Sequence, residues 1–218
     1  MPTTPATTTR MTGAERREQL LDVTKAIVLE QGFHAISIEA VARAAGITRP
    51  VVYGHFQDLH GLLEALVERE TTRALAQLGP ILPGDLAEGE PREILLAGLR
   101  GYLEAAQANP GTWKLVLMPP EGAPASLRER IAQGRDAVIA HLATAVRPGL
   151  DPRRELPDPE LAARMLSVVS DETVRLLLTD PARYPIERLL AQADWFLEAL
   201  AGATAARRPA RRSRRRPR

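Results

Sequence analysis

Cysteine is absent from the 218-residue chain, which removes disulfide frameworks, thiolate zinc sites and cysteine nucleophiles in one step and fits a reducing compartment. Lysine is nearly absent too: of the 29 basic residues only Lys25 and Lys114 are not arginine. With the frequent Ala, Pro and Gly, that points to a GC-rich bacterial coding sequence and says little about function. No stretch approaches the ~20 apolar residues of a membrane span, and the opening MPTTPATTTRM lacks the apolar core of a signal peptide. A soluble, cytoplasmic protein with no membrane partner is expected. Also missing are a Gly-rich phosphate loop, a Gly-x-Ser-x-Gly elbow and a His-Glu-x-x-His pair, and His34, His55, His60 and His141 do not fall at zinc spacing. The chain is therefore not expected to be an enzyme or to hold a metal or cofactor. The last absence is of acid. Arg207 to Arg218 contains eight arginines and no carboxylate, so a net charge of +2 hides a basic end and a body, residues 1–206, with 21 basic and 27 acidic groups.

What is present is helical spacing nearly throughout, with no alternating run long enough to insist on a strand. Thr12-Gly-Ala-Glu15 is a capping-box pattern, in which a hydroxyl and a carboxylate satisfy amides that a helix start leaves unpaired. Leu20, Thr24, Ile27, Val28 and Gln31 follow at intervals of three or four, and Gly32 is placed to end that helix. Ser37 is a fitting N-cap for a second helix with Ile38, Val41, Ala42 and Ala45 as its apolar stripe, broken at Gly46. Thr48 can cap a very short third helix ending near Phe56. Asp58 can cap a fourth, with Leu59, Leu62, Leu63, Leu66 and Val67 buried. Prolines punctuate the rest: Pro80, Pro83 and Pro91 bracket a loop, Pro110 ends the helix begun near Pro91, and Pro119, Pro120 and Pro124 precede a helix over Leu127 to Val146. Residues 147–159 read as an exposed loop, and two long helices, about 159–179 and 185–204, close the chain.

Two short helices at a fixed turn form the helix-turn-helix arrangement, whose second helix enters the major groove while the first braces it across the backbone. In GITRPVVYGHF, residues 46–56, Gly46 sits at the sharp turn and Ala42 and Ala45 are small enough for close approach. Arg49 at the helix start can reach a guanine edge or a phosphate. Tyr53 and His55 carry groups suited to phosphate oxygens, which fix register without reading sequence. On this stretch alone, an ordinary helix-to-helix connection with Tyr53 and Phe56 both in a core fits as well.

The order of the surrounding helices is more specific. Residues 16–67 resemble the N-terminal domain of the TetR family of bacterial transcriptional repressors. The matching pieces are Gly32-Phe33, the Ser37-Ile-Glu-Ala-Val-Ala-Arg-Ala-Ala-Gly46-Ile47 run, Tyr53-Gly-His55-Phe56 and Leu62-Leu63. The resemblance implies DNA contacts at Ser37, at Thr48, Arg49, Pro50 and Val51 of the reading helix, and at Tyr53 and His55 as phosphate clamps. One departure is that Gln57, Asp58, Leu59 and His60 follow Phe56 where the family often has a lysine. Arg10, Arg16 and Arg17 could reach backbone phosphate or a minor groove, and a solvated helix start accounts for them equally. The basic tail is expected to be disordered and to bind polyanions weakly through counterion release, or simply to solubilise.

In the second half, Trp195, Phe196 and Leu197 are consecutive, so their side chains span roughly 200° of a helix, more than one core face buries. With Leu176, Leu177 and Leu178 on the preceding helix they outline a dimer interface, and the resemblance likewise implies a homodimer formed by the last two helices. It also implies an effector pocket among the middle helices. Candidates there are Tyr102, Trp113, Leu117 and Met118 on one wall and Met165, Asp171, Glu172 and Arg175 near another, with Arg135 and His141 as further polar groups. Leu, Ala and Met outnumber paired charges in this half, which favours a mostly apolar small molecule.

The expected protein is thus all-α: an N-terminal arm (1–11), a three-helix helix-turn-helix DNA-binding domain (12–57, motif 37–56), a larger helical ligand-binding and dimerisation bundle (58–206) and the basic tail (207–218). It would be a transcriptional regulator, a repressor binding a palindromic double-stranded operator as a dimer and released by a small apolar ligand. The competing reading is a sequence-independent architectural DNA-binding protein that uses its tail.

Overall fold

The computed structural model describes residues 11–149 and 156–206. Arg10, part of the loop at 147–159 and the basic tail lie outside the described residues. All regular elements of the described residues are helical: α1 (Gly13–Gln31), α2 (Ile38–Ala44), α3 (Arg49–His55), α4 (Leu59–Leu78), α5 (Pro91–Ala108), α6 (Pro110–Leu117), α7 (Ala125–Ala145), α8 (Pro159–Thr179) and α9 (Ile186–Ala206).

The helix ends follow local chemistry. The Thr12 N–H donates to Glu15 Oε2 at 2.7 Å and the Glu15 N–H to Thr12 Oγ1 at 3.2 Å, closing the capping box of α1. Those hydrogen bonds hold the Glu15 carboxyl below the ordinary value of 4.5. Gly32 ends α1 at φ 84°, a conformation that favours glycine. Ser37 accepts from the Ala40 N–H at 3.0 Å, and Asp58 from the Gly61 N–H at 2.7 Å. Asp58 thus caps the start of α4. The helix begun at Pro91 ends just before Pro110, as expected, but Pro110 also opens a further helix. Asn109 is the C-cap of α5, and Pro110 is the first residue of α6, where a missing N–H costs nothing.

The described chain packs as two compact units. One comprises the residues up to Leu75 together with Gly111–Gln133; the other comprises Ala76–Pro110 and the chain from Gly134 on. The core of the first unit gathers Leu20, Leu21 and Val28 of α1, Val41 of α2, Val52 of α3, and Leu62 and Leu66 of α4. Leu115 of α6 and Leu127 of α7 belong to the same cluster. Three short helices bury too little apolar surface by themselves, and these added leucines, each contributing roughly 1.5–3 kcal/mol on burial, complete the core.

In the second unit α5 packs on both α8 and α9. Its Gly98 and Gly101 make a notch for the 3-10 turn at Gly79–Ile81. A Cβ on Gly101 would stand 2.8 Å from Ile81 Cγ2, and one on Gly98 would stand 3.3 Å from the Ile81 carbonyl oxygen. A second cluster of this unit holds Leu86, Ile139, Leu142, Val146 and Ala163. Asp158 caps α8 by accepting from the Leu161 N–H at 2.9 Å, with Pro159 at the first helical position.

Candidate nucleic-acid interface and apolar faces

The α2–turn–α3 arrangement is set by few groups. Gly46 takes φ 67°, and the Ile47 N–H donates to the Ala42 carbonyl at 3.0 Å, reversing the chain within two residues. Only Val52 of α3 and Phe56 just beyond it are buried; Thr48, Arg49, Pro50, Val51 and Tyr53 are exposed, Tyr53 by 52%, and His55 is half-buried. This seven-residue helix therefore leaves one whole side uncovered.

Thr48 differs from expectation in an informative way. It occupies the N-cap position with extended backbone, yet its hydroxyl makes no cap bond. The second helical residue, Pro50, has no N–H to offer, and the Val51 N–H donates to the Thr48 carbonyl at 3.0 Å. Thr48 is exposed, next to Arg49, which forms no ion pair among the described residues. Ser37 accepts a cap bond but keeps its hydroxyl hydrogen available. Around the end of α3, Arg17 of α1 lies over the Phe56 ring at 5.0 Å, an attraction between cation and ring face. A Cβ on Gly13 would come 4.0 Å from His55 Cε1, so the first turn of α1 adjoins the end of α3. Arg16 donates to Gln19 at 2.6 Å.

The pocket candidates divide between the two units. In the first, Trp113 and Leu117 of α6 are buried and Met118 is half-buried. In the second, the Tyr102 hydroxyl donates to Asp171 Oδ1 at 3.0 Å, and Arg135 holds Oδ2 at 3.0 Å. Burial raises the Asp171 carboxyl above its ordinary value despite Arg135, the Tyr102 hydrogen bond and Arg175. Burial, and then the Asp171 charge, raise the Tyr102 phenol. Arg175 donates to Glu172 at 3.2 Å and His141 is bonded to the Pro83 carbonyl at 3.0 Å. Met165 stands apart from Asp171: it is 63% exposed, on another face of α8.

That face is the feature that sequence reasoning missed. Leu161, Met165, Val168 and Val169 recur at i, i+4, i+7 and i+8, all more than half exposed, while Ala163, Ser167, Asp171, Val174, Leu177 and Leu178 bury the other side of α8. On α9, Trp195 and Phe196 are exposed, in edge contact with ring centroids 5.4 Å apart, and Leu200 is exposed as well. Of the residues expected at a dimer interface, Leu176 and Leu197 are half-buried. Leu177, at 2% exposure, already serves the core of its own unit.

A helix-turn-helix with an exposed second helix, in a chain whose later helices carry exposed apolar residues, is an arrangement suited to reading DNA. Residues 20–66 match the family described as bacterial regulatory proteins, tetR family. That match covers the helix-turn-helix region, which is similar to the reading domain of that family. It is 34% identical over 100 residues to the HTH-type transcriptional regulator BetI of Pectobacterium atrosepticum, across 45% of this chain and 50% of that protein. The chain thus spans about half the length of the curated relatives it matches. The fold is similar to a TetR-like transcriptional regulator of Rhodococcus sp. RHA1 (TM-score 0.68, 24% identity, 91% of this chain and 100% of that one). It is also similar to the regulator FadR of Bacillus subtilis in complex with stearoyl-CoA (TM-score 0.61, 18% identity, 84% and 97%).

Proposed function

We propose that the protein is a transcriptional regulator that binds a palindromic DNA operator as a homodimer, acts as a repressor and is released by a small, mostly apolar ligand. The single observation that carries the DNA reading is the exposed side of α3, where Thr48 keeps an uncommitted hydroxyl next to Arg49 and Tyr53 projects one turn farther on. In this assignment Arg49 reads a base edge, and Ser37, Thr48, Tyr53 and His55 hold phosphate oxygens with Pro50 and Val51 packed along the groove. Dimerisation is supported by α8 and α9, whose exposed apolar residues are too many and too regularly spaced for an isolated surface. One reading helix per chain needs a second chain to span two half-sites. For the ligand, the acyl-CoA held by the structural relative in B. subtilis makes long-chain acyl-CoA thioesters the first compounds to try.

The deciding experiment is selection of bound fragments from a randomised DNA pool by the full chain at physiological salt. Enrichment of a palindrome is the expected result, and release of that fragment by stearoyl-CoA would identify the ligand class. Binding without enrichment would replace this reading with sequence-independent DNA association.

A further inference from the structure

We propose that Thr112 couples α6 to the DNA-reading helices: through the buried Glu70 carboxylate it ties α6 to α1 and α4, so that DNA held by α3 is felt at α6. The inference rests on the DNA-binding reading above. Glu70 is fully buried on α4, and its two oxygens have different partners. Oε1 accepts from Arg69 Nε at 2.9 Å and from Arg73 at 3.3 Å. Both arginines also grip Glu18 of α1, at 3.1 and 2.9 Å. Oε2 accepts from Lys25 of α1 at 3.1 Å and from the Thr112 hydroxyl of α6 at 2.6 Å. One oxygen of one carboxylate is therefore shared by α1 and α6.

A buried carboxylate is tolerated only while donors surround it. Were Thr112 to withdraw, Oε2 would be left to Lys25 alone, and Lys25 could follow only by moving α1 or its own stem. The contact is close as well as polar, since a Cβ on Gly111 would lie 3.1 Å from Leu29 Cδ1 and 3.6 Å from Lys25 Cε. At its other end α1 carries Arg17 over Phe56 and adjoins His55. A continuous series of contacts thus runs from α6 through Glu70 and α1 to the end of α3, all within one compact unit. Fixing α3 and α1 on DNA restricts Lys25, and with it the arrangement in which Oε2 has both donors.

The test is amide hydrogen exchange on the full chain with and without the fragment selected from the random pool. In the wild type, DNA is expected to slow exchange at residues 111–117 by about tenfold, a usual size for coupling between sites. Thr112→Val should bind the same fragment with nearly unchanged affinity and lose that slowing, whereas Thr112→Ser, which restores the hydroxyl, should regain it. Lys25→Met, which cuts the α1 side of the link, should lose it too and serves if the valine variant does not fold. Slowing that persists in Thr112→Val or Lys25→Met, or that is absent in the wild type or in Thr112→Ser, overturns the proposal. Failure of any fragment to bind would overturn the DNA reading as well, a result distinct from binding without a change at α6.

Discussion

Glu70 shows how much a single residue can depend on partners distant in sequence. Burial alone would raise its carboxyl, but the Thr112 hydrogen bond and then Lys25 and Arg69 outweigh it, so the group sits below the ordinary 4.5. A carboxyl depressed in the folded state contributes stability that is present above its unfolded value and lost as pH falls through the folded value. Glu70→Gln strands Lys25 without its carboxylate and leaves Arg69 only Glu18 and Asp22, and urea unfolding at pH 7 should show a loss of about 3–5 kcal/mol. That loss should shrink as both proteins are acidified below 4.5; a difference that stays constant down to pH 2 would contradict the assignment. Arg49 and Tyr53 call for a different measurement. Arg49→Ala should relax base preference at one position by about 1–3 kcal/mol, and Tyr53→Phe should weaken all sequences alike. Equal losses across a panel of single-base operator variants for both would undo the division of roles. The exposed place of Arg49 after Thr48 was legible from the sequence, whereas Thr48 was expected to cap α3 through its side chain and does not. The role of Glu70 was not legible. Glu-Arg-Glu-Thr-Thr-Arg in α4 has the composition of a solvated helix face, and only packing brings Lys25 and Thr112 to it.

At the scale of elements, the helices formed where apolar spacing and caps agree. The capping box at Thr12, the Ser37 and Asp58 caps and the span 159–179 of α8 were all readable because each depends on residues within one turn. The end of α5 before Pro110 was readable but α6 was not, since a proline both disfavours helix before it and favours helix after it. The apolar stripe from Leu161 to Val169 was present in the sequence at helical period, but the consecutive Trp195-Phe196-Leu197 was the more conspicuous signal. The notch in α5 yields a prediction at this scale. Gly101→Ala pushes a methyl into Ile81 and should lower the melting temperature, costing about 1–3 kcal/mol as overpacked sites do. Pairing it with Ile81→Ala should recover part of that loss; strict additivity of the two changes would mean that they do not share the notch.

For the whole molecule, the uncovered side of α8 is where assembly can be tested. Val168 is 64% exposed, so Val168→Asp should leave the circular dichroism of the protein intact while shifting sedimentation equilibrium from dimer to monomer. A charge buried at an interface without a partner is costly, whereas the same charge on a free surface is nearly neutral. An unchanged dimer would place the interface elsewhere. The basic tail can be tested by the salt dependence of DNA binding. Deleting residues 207–218 should reduce the slope of log affinity against log salt, by about 0.9 for each phosphate no longer neutralised, and leave the selected sequence the same; an unaltered slope would remove the tail from the complex. Sequence alone could anticipate an all-helical chain with a reading domain in front, because periodicity and motif order are local properties. It could not anticipate which later segments pack with that domain.

The partition of the core therefore bears on how this protein could be recombined. Leu115, Ala123 and Leu127 lie well beyond the end of α4 at Leu78 in the chain, yet they fill the same cluster as Leu20, Val52 and Leu66. A chimera that exchanges only the first 75 residues for those of a relative would inherit a hole or a clash where those three side chains belong. An exchange that carries residues 111–133 along transplants the module whole, and should be the one that yields hybrid regulators with a borrowed operator and a native response.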